Sequence, residues 1–251
     1  RETLGPIVAF IGVKGGVGAS TVALNVALGL VSEGYRTLLL DLGGPGLTAG
    51  WTLGLEPTHF LLDLANAKAM SITMPDLQNC TLTHVTGLRY IPGHAQSVAI
   101  SNLARRSVAN ALDLMRDFYD MIVLDVDPSN VPIWKQVLGR ATTIMAVADQ
   151  DPLCLRHMRA LGSALEEIEA RNLMPGYVLV ERYPTPNREA YLAATHEQGF
   201  EALALIPTAF NELQEANSRP APLAFTYPDC IASLAMRELA RFIAGRAPAR
   251  E

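Results

Sequence analysis

The chain has 251 residues, of which 49% are hydrophobic and 18% are charged, and its formal net charge is −5. This balance excludes an intrinsically disordered chain, and the length is sufficient for one large domain with a well-buried core. Because the net charge is negative, bulk electrostatics do not draw the chain to nucleic acid or to anionic lipid.

Apolar, β-branched runs alternate with amphipathic runs along the whole chain. The predicted strands are residues 8–13, 37–41, 88–91, 121–125, 143–148, 177–181 and 202–206. The predicted helices are residues 21–31, 59–67, 99–118, 133–139, 153–171, 188–197, 210–216 and 231–243. The alternation predicts an α/β fold with a doubly wound, mostly parallel sheet flanked by helices, whose ligands bind at the carboxyl ends of the strands. The segment 43–57, rich in Gly and Thr, is expected to be a loop at that edge.

The cysteine spacing and the apolar runs indicate the compartment and the number of domains that we expect. Cys80, Cys154 and Cys230 are far apart and have no metal-ligand spacing, so we expect free thiols in a reducing cytoplasm. No apolar run is long enough to span a bilayer, and no signal peptide is visible. We expect residues 1–251 to form a single domain. The start at Arg1, close to the first apolar run, is compatible with a further domain ahead of it.

A glycine-rich segment, GVKGGVGAST, lies between the first predicted strand and the first predicted helix. Glycines allow backbone N–H groups to converge on an anion, and a helix N-terminus adds a partial positive charge. The segment therefore predicts a phosphate-binding loop made of Lys14, Gly15, Gly16, Val17, Gly18, Ala19, Ser20 and Thr21. The simpler alternative is a glycine turn that only joins a strand to a helix.

The loop departs from the common pattern GxxxxGK[ST], whose lysine contacts the β- and γ-phosphates of a nucleotide. Ala19 occupies the position of that lysine, and Val13 occupies the position of the first glycine. Lys14 instead stands directly before the glycine pair. Only Lys68 and Lys135 are lysines elsewhere in the chain, so a lysine within the loop is conspicuous.

Two aspartates end apolar strands downstream of the loop. Asp41 follows TLLL and Asp125 follows MIVL, and both strands are expected to open on the same sheet edge as the loop. Carboxylate and hydroxyl oxygens suit Mg²⁺, so Ser20, Asp41 and Asp125 are the predicted metal ligands. Each aspartate has the alternative of capping the next turn. Asp41 and Asp127 are also candidate catalytic carboxylates, although Asp127 equally fits a solvated loop residue.

The run Lys-Gly-Gly-Val-Gly (14–18) resembles the deviant Walker A motif of the ParA/MinD-like ATPases. The resemblance implies ATP or ADP with Mg²⁺ as cofactors, and a homodimer in which Lys14 acts on the partner's nucleotide. The segment ending in Glu181 and Arg182 stands where the family often has an asparagine that binds adenine, and Pro207 lies in a stretch similar to the family's late loop beside the base. The resemblance therefore implies that Arg182 and Pro207 belong to the nucleotide site.

The chain lacks two groups that support hydrolysis in this family. Ala19 removes a cation, and Gly43 stands where the family has a second aspartate that orients the attacking water. Losing one such group typically costs ~3 kcal/mol of transition-state stabilisation. We therefore expect a nucleotide-binding protein that is at most a weak ATPase. Restoring lysine at position 19 and aspartate at position 43 is expected to raise turnover.

Three further segments resemble the CpaE/TadZ branch of the family: GVGAST followed by Asn25, LTAGW (47–51) and VPIW (131–134). Members of that branch serve type IVb (Tad) pilus assembly at a cell pole. The resemblance implies a cytoplasmic, polar scaffold near the inner membrane, pilus assembly proteins including the secretion ATPase as partners, and a receiver-like domain at the N-terminus.

Three alternatives remain open. An active ParA-type ATPase would position DNA or cargo and would need a basic patch, to which Arg105 and Arg106 would contribute, although we expect no nucleic-acid binding. A MinD-like switch would bind a membrane through residues 231–246, an amphipathic segment that equally fits a last core-packing helix. A pure interaction module would have lost nucleotide binding.

Overall fold

The computed structural model describes residues 4–43, 48–68, 71–94, 102–129, 131–168, 176–182, 188–197 and 199–246. The strands within these ranges are β1 Ile7–Gly12, β2 Thr37–Leu42, β3 Leu82–Thr83, β4 Arg89–Pro92, β5 Met121–Val126, β6 Thr143–Asp149, β7 Gly176–Val180 and β8 Glu201–Ile206. The helices are α1 Ala19–Ser32, α2 Thr48–Thr52, α3 Leu61–Lys68, α4 Met74–Cys80, α5 Asn102–Met115, α6 Val131–Leu138, α7 Pro152–Glu167, α8 Arg188–His196, α9 Phe210–Asn217, α10 Leu223–Thr226 and α11 Ile231–Arg246.

The strands form one eight-stranded sheet in the order β3-β4-β2-β5-β1-β6-β7-β8. Every neighbouring pair is parallel except β3 with β4. Each residue of β1, β2 and β5 is buried, which explains why these strands are continuous apolar runs and not alternating ones. The predicted doubly wound, mostly parallel sheet with flanking helices is confirmed.

The sequence missed four short elements: β3, α2, α4 and α10. α4 begins with a capping box, in which Thr73 and Asp76 bond each other's groups, and with a proline in the first turn. α2 lies inside the segment 43–57 that was expected to be a loop, and residues 44–47 of that segment lie outside the described residues. Gly50 makes this helix compatible with the core, because a Cβ there would lie 2.9 Å from the hydroxyl of Tyr90.

Helix α11 packs its apolar face on α1 and β8. Ala232, Met236, Leu239, Ala240 and Ile243 are buried, while the polar face is exposed. The contact is close: a Cβ on Gly29 of α1 would lie 2.8 Å from the Cβ of Ala240. Among the described residues, no helix combines the length and the apolar character needed to cross a membrane. Core packing accounts for the buried residues of this helix, whereas Ile231 and Leu234 of the same helix are exposed.

The close approach of α1 and α11 predicts that Gly29→Ala destabilises the protein. The added methyl group would overlap Ala240, so we expect a loss of about 1–3 kcal/mol in the free energy of unfolding. The matched control is Gly245→Ala in α11, where a Cβ meets nothing within 4 Å and helix propensity favours alanine by up to ~1 kcal/mol. Urea unfolding of both variants measures this. Equal stability of the two variants would contradict the packing interpretation.

Candidate functional site

The glycine-rich segment joins the end of β1 to the first turn of α1. Gly16 and Gly18 have φ of 77° and 92°, a left-handed region that side chains other than glycine disfavour. Gly18 is the N-cap of α1, and the helix has neither a side-chain cap nor an acidic residue in its first turn. A Cβ on Gly15 would meet no atom within 4 Å, so the space above the loop is open. This geometry directs backbone N–H groups at an anion.

Asp41 and Asp125 lie side by side, because β2 pairs with β5 in a register that places these two residues opposite each other. Both side chains are buried. Asp41 accepts hydrogen bonds from the hydroxyl of Tyr90 at 2.9 Å and from the N–H of Gly43 at 3.0 Å. Asp125 accepts one from the hydroxyl of Ser20, at the start of α1. The three predicted metal ligands are therefore neighbours in space.

The two carboxyl groups have raised pKa values. Burial, followed by the negative charge of Asp41, raises the pKa of Asp125 to about 7. Burial likewise raises the pKa of Asp41, although its hydrogen bond from Tyr90 opposes the change. Two adjacent buried carboxylates fit a divalent metal ion, and Mg²⁺ prefers such oxygens.

The described residues contain no cluster of three or more His, Cys, Asp or Glu side chains that would hold a metal by themselves. A metal ion at Asp41 and Asp125 would therefore take further ligands from Ser20, water or bound phosphate. This composition is typical of Mg²⁺, which keeps several waters and is commonly bound through one or two carboxylates together with substrate phosphates.

The space around Gly43 is small. A Cβ at this position would lie 2.9 Å from Oδ1 of Asp41 and 3.1 Å from Oδ2 of Asp125. A side chain there would push against both carboxylates. An aspartate at position 43 would crowd the two predicted metal ligands and add a third negative charge, and its expected effect on turnover stays a prediction.

The side chain of Asp127 is hydrogen-bonded within the turn that follows β5. Its two carboxylate oxygens accept hydrogen bonds from the backbone N–H and the hydroxyl of Ser129, both at 2.8 Å. Its own N–H donates to the carbonyl of Leu42 at 3.2 Å, which links the loops after β5 and β2. These contacts favour the loop role of Asp127 over the catalytic one.

Lys14 is paired with two carboxylates of the same chain. Its Nζ lies 3.1 Å from Oδ2 of Asp149 and 3.3 Å from Oδ2 of Asp151. Burial acts to lower the pKa of Lys14, but the hydrogen bonds and charges of these aspartates outweigh it and raise that pKa. The lysine is therefore charged and is held by the end of β6 and the residues that follow it.

Asp149 also binds Arg182. The Nε of Arg182 lies 3.1 Å from Oδ2 of Asp149, and its Nη2 donates to the carbonyl of Gly16. The carboxylate further accepts hydrogen bonds from the thiol of Cys154 and from the N–H of Asp151. Although burial alone would raise the pKa of Asp149, these contacts lower it.

The sequence reasoning left the roles of Asp149 and Asp151 undecided and did not single out Tyr90. The sequence pattern could have identified Asp149 as a site residue, because it ends an apolar strand as Asp41 and Asp125 do. Tyr90 lay in a predicted strand, but its hydroxyl contact with Asp41 depends on the pairing of β4 with β2, which no local pattern specifies.

The remaining predicted residues lie at the same sheet edge. The N–H of Glu181 donates to the carbonyl of Ile206 at 2.9 Å, which brings the segment before Arg182 next to Pro207. A cavity of 280 Å³ extends from Ser20 and Thr21 to Leu213 and Asn217 of α9, the helix that follows Pro207. The predicted loop, metal and base-side residues thus share one edge of the sheet.

Comparison with known proteins identifies the family. A family model described as an AAA domain (AAA_31) matches residues 5–174. The chain is 30% identical over 160 residues to the chromosome-partitioning ATPase Soj of Thermus thermophilus, an alignment that covers 62% of this chain and 60% of Soj. This chain belongs to the ParA/MinD-like family.

Solved structures of ParA/MinD-like proteins have the same fold. The ParA family ATPase of Chlorobium tepidum superposes with a TM-score of 0.83 at 21% identity, covering 95% of this chain and 98% of that one. MinD of Pyrococcus horikoshii, complexed with Mg-ADP, superposes with a TM-score of 0.75 at 18% identity and covers 96% of both chains. Alignments with three curated relatives, from Methanocaldococcus jannaschii, T. thermophilus and Pseudomonas aeruginosa, span 66%, 60% and 41% of those proteins.

The raised pKa of Asp125 predicts a pH-dependent stability in the absence of Mg²⁺. A carboxyl group that is more easily protonated in the folded than in the unfolded chain costs stability as the pH rises from about 4 towards about 7. Asp125→Asn should therefore stabilise the metal-free chain at pH 8 more than at pH 5, by at most about 1.4 kcal/mol for each pH unit. Urea unfolding in EDTA at both pH values measures the difference.

Mg²⁺ provides the control for this prediction. Addition of Mg²⁺ should stabilise the wild-type chain at pH 8 and have a smaller effect on Asp125→Asn, since the variant lacks one carboxylate ligand. A stability difference between the two proteins that is the same at both pH values would contradict the assignment.

Proposed function

We propose that this protein is an ATP-binding scaffold that dimerises with nucleotide and hydrolyses ATP slowly or not at all. The observation that carries the proposal is the loop between β1 and α1, with Gly16 and Gly18 in left-handed conformations and Ala19 in place of the phosphate-binding lysine. Backbone N–H groups and the helix N-terminus supply binding, whereas transfer of the γ-phosphoryl group depends on cations that offset its charge.

Binding of Mg²⁺ is supported by the buried pair Asp41 and Asp125 and by the hydroxyl of Ser20. When bound, the ion would neutralise the phosphates and draw them towards these side chains. The cavity between Thr21 and α9 provides room for the nucleoside part of the ligand. The Mg-ADP complex of P. horikoshii MinD, a protein of the same fold, supports the same ligand class.

Dimerisation is supported by the apolar surface around the loop. Trp51, Leu153 and Phe210 are 51%, 53% and 70% exposed, and each lies in the segment that follows a strand's carboxyl end at the edge that holds the loop. Exposed large apolar side chains around one site favour a protein partner. A second copy of the chain would cover them and would bring its Lys14 to this nucleotide, as the family resemblance implies.

The biological role that we propose is the assembly of a Tad (type IVb) pilus at a cell pole. The support is the resemblance of three segments to the CpaE/TadZ branch. In this role the protein is cytoplasmic and acts by recruiting pilus assembly proteins, including the secretion ATPase. In this role the protein would recruit its partners when nucleotide is bound, and would not act by making a chemical product. The proposal includes a single nucleotide-binding domain in residues 1–251, preceded by a receiver-like domain.

Titration calorimetry with ATP and Mg²⁺ tests nucleotide binding and dimerisation together. We expect micromolar affinity and heats that depend on protein concentration. Lys14→Ala should weaken ATP-dependent dimerisation by about tenfold or more in sedimentation, because a charge-assisted contact to phosphate is lost. Lys135→Ala is the control, since it removes one lysine that also pairs with a carboxylate, Glu167, away from the loop. If both variants dimerise like the wild type, the role of Lys14 in the partner's site is excluded.

Ala19→Lys should raise ATP turnover. A lysine at this position restores a cation next to the phosphates, and one such group is worth on the order of a hundredfold in rate. Ala19→Gln is the control, because it adds a long polar side chain without a positive charge. Phosphate release at saturating ATP measures the effect. A turnover equal to that of Ala19→Gln would show that the absent lysine does not limit hydrolysis.

An active ParA-type ATPase is the second candidate, favoured by the similarity to Soj, a chromosome-partitioning ATPase. It would differ from the scaffold in two measurable ways: efficient ATP hydrolysis by the wild-type chain, and DNA binding that weakens steeply with salt. A wild-type chain with both properties would replace the scaffold proposal.

A further inference from the structure

Arg182 lies on the phosphate loop. Its Nη2 donates to the carbonyl of Gly16, and the same nitrogen would be 3.9 Å from a Cβ on Gly16. The end of β7 approaches the loop again two residues earlier in the chain: Cγ1 of Val180 would lie 4.0 Å from a Cβ on Gly18. Arg182 and Val180 therefore border the loop at Gly16 and Gly18, and Gly18 directly precedes Ala19.

Arg182 is held in this place from two sides. Its backbone N–H donates to Oε1 of Gln150 at 2.9 Å, and its Nε pairs with Asp149 at 3.1 Å. Among the described residues, these contacts and the one to Gly16 engage Nε and Nη2 and leave Nη1 for a ligand. The side chain is 51% exposed, which leaves its outer face accessible to a ligand at the loop. Such a fork of N–H donors matches phosphate oxygens.

Lys14 does not fill the same role in its own chain. Asp149 and Asp151 bind its ammonium group at 3.1 and 3.3 Å. Lys14 and Arg182 are thus the two cations beside the carboxylates of Asp149 and Asp151. Of the two side chains, that of Arg182 also contacts the loop backbone. Arg182 therefore combines a fixed position with a positive charge beside the loop, at Gly16, three residues before the position where the common phosphate loop has a lysine.

We infer that Arg182 binds the nucleotide's phosphates within its own chain and replaces the lysine that Ala19 removes. Asp149 positions the guanidinium against the loop. This inference rests on the proposed nucleotide binding and gives Arg182 a role different from the base contact that its place in the sequence implies. It explains how the loop retains affinity for phosphate with alanine at position 19.

The first experiment compares binding of ATP, ADP and inorganic tripolyphosphate, each with Mg²⁺, by calorimetry at protein concentrations below dimerisation. Arg182→Ala should weaken binding of ATP and of tripolyphosphate by about tenfold or more, since a charge-assisted contact to phosphate is lost. Arg241→Ala is the matched control, because Arg241 is also 51% exposed and also pairs with a carboxylate, that of Glu33. Thermal melting without ligand checks that both variants are folded.

The second experiment adds Ala19→Lys to Arg182→Ala. If Arg182 replaces the missing lysine, Ala19→Lys should restore most of the affinity that Arg182→Ala loses, so that the two substitutions are not additive. Arg182→Lys should retain part of the affinity, because it keeps the charge and loses the fork.

Each outcome has a definite meaning. Equal losses in Arg182→Ala and Arg241→Ala, a loss for ATP without a loss for tripolyphosphate, or additive effects with Ala19→Lys would overturn the inference and leave nucleotide binding in place. A folded wild-type chain that binds none of the three probes would overturn the proposed function as well.

Discussion

The pairing of four buried parallel strands determines where every group of the site lies. β2 and β5 pair without a shift, which places Asp41 beside Asp125, and β1 lies between β5 and β6. β6 pairs with β1 so that Gly12 stands opposite Val147, two residues before Asp149. Because side chains alternate between the faces of a sheet, a slip of one residue would turn these carboxylates away from each other. The metal side and the phosphate side of the site therefore depend on the same hydrogen-bonded register.

The charges at this edge form two groups of opposite character. Asp41 and Asp125 are buried, and burial raises both pKa values, although the nearby charge of His94 opposes the rise at Asp41. Asp149 is buried too, but it pairs with Lys14 and Arg182, and its pKa is lowered. The first pair fits a divalent ion, whereas the second cluster already contains its own cations, of which we propose that Arg182 contacts phosphate. The loop lies between them.

Space restricts the site as strongly as charge does. A Cβ on Gly43 would lie 2.9 Å from Oδ1 of Asp41 and 3.1 Å from Oδ2 of Asp125. The absence of an aspartate at position 43 is thus part of how Asp41 and Asp125 pack, and not an isolated loss. In the proposed function, the chain keeps the loop and the carboxylates that would hold a nucleotide and lacks two groups that would speed phosphoryl transfer. This balance is consistent with a protein whose nucleotide controls association.

The sequence by itself determined the α/β alternation, the phosphate loop and the two strand-end aspartates, because each is encoded in neighbouring residues: continuous apolar runs, glycines before a helix, and an acidic residue after a buried strand. It did not determine the short elements α2 and β3, nor the contacts of Tyr90 with Asp41 and of Asp149 with Lys14 and Arg182. The contact of Tyr90 with Asp41 joins residues separated by 49 positions, and that of Lys14 with Asp149 joins residues separated by 135. Only the order and register of the strands decide such contacts, since they bring distant strand ends to a single edge.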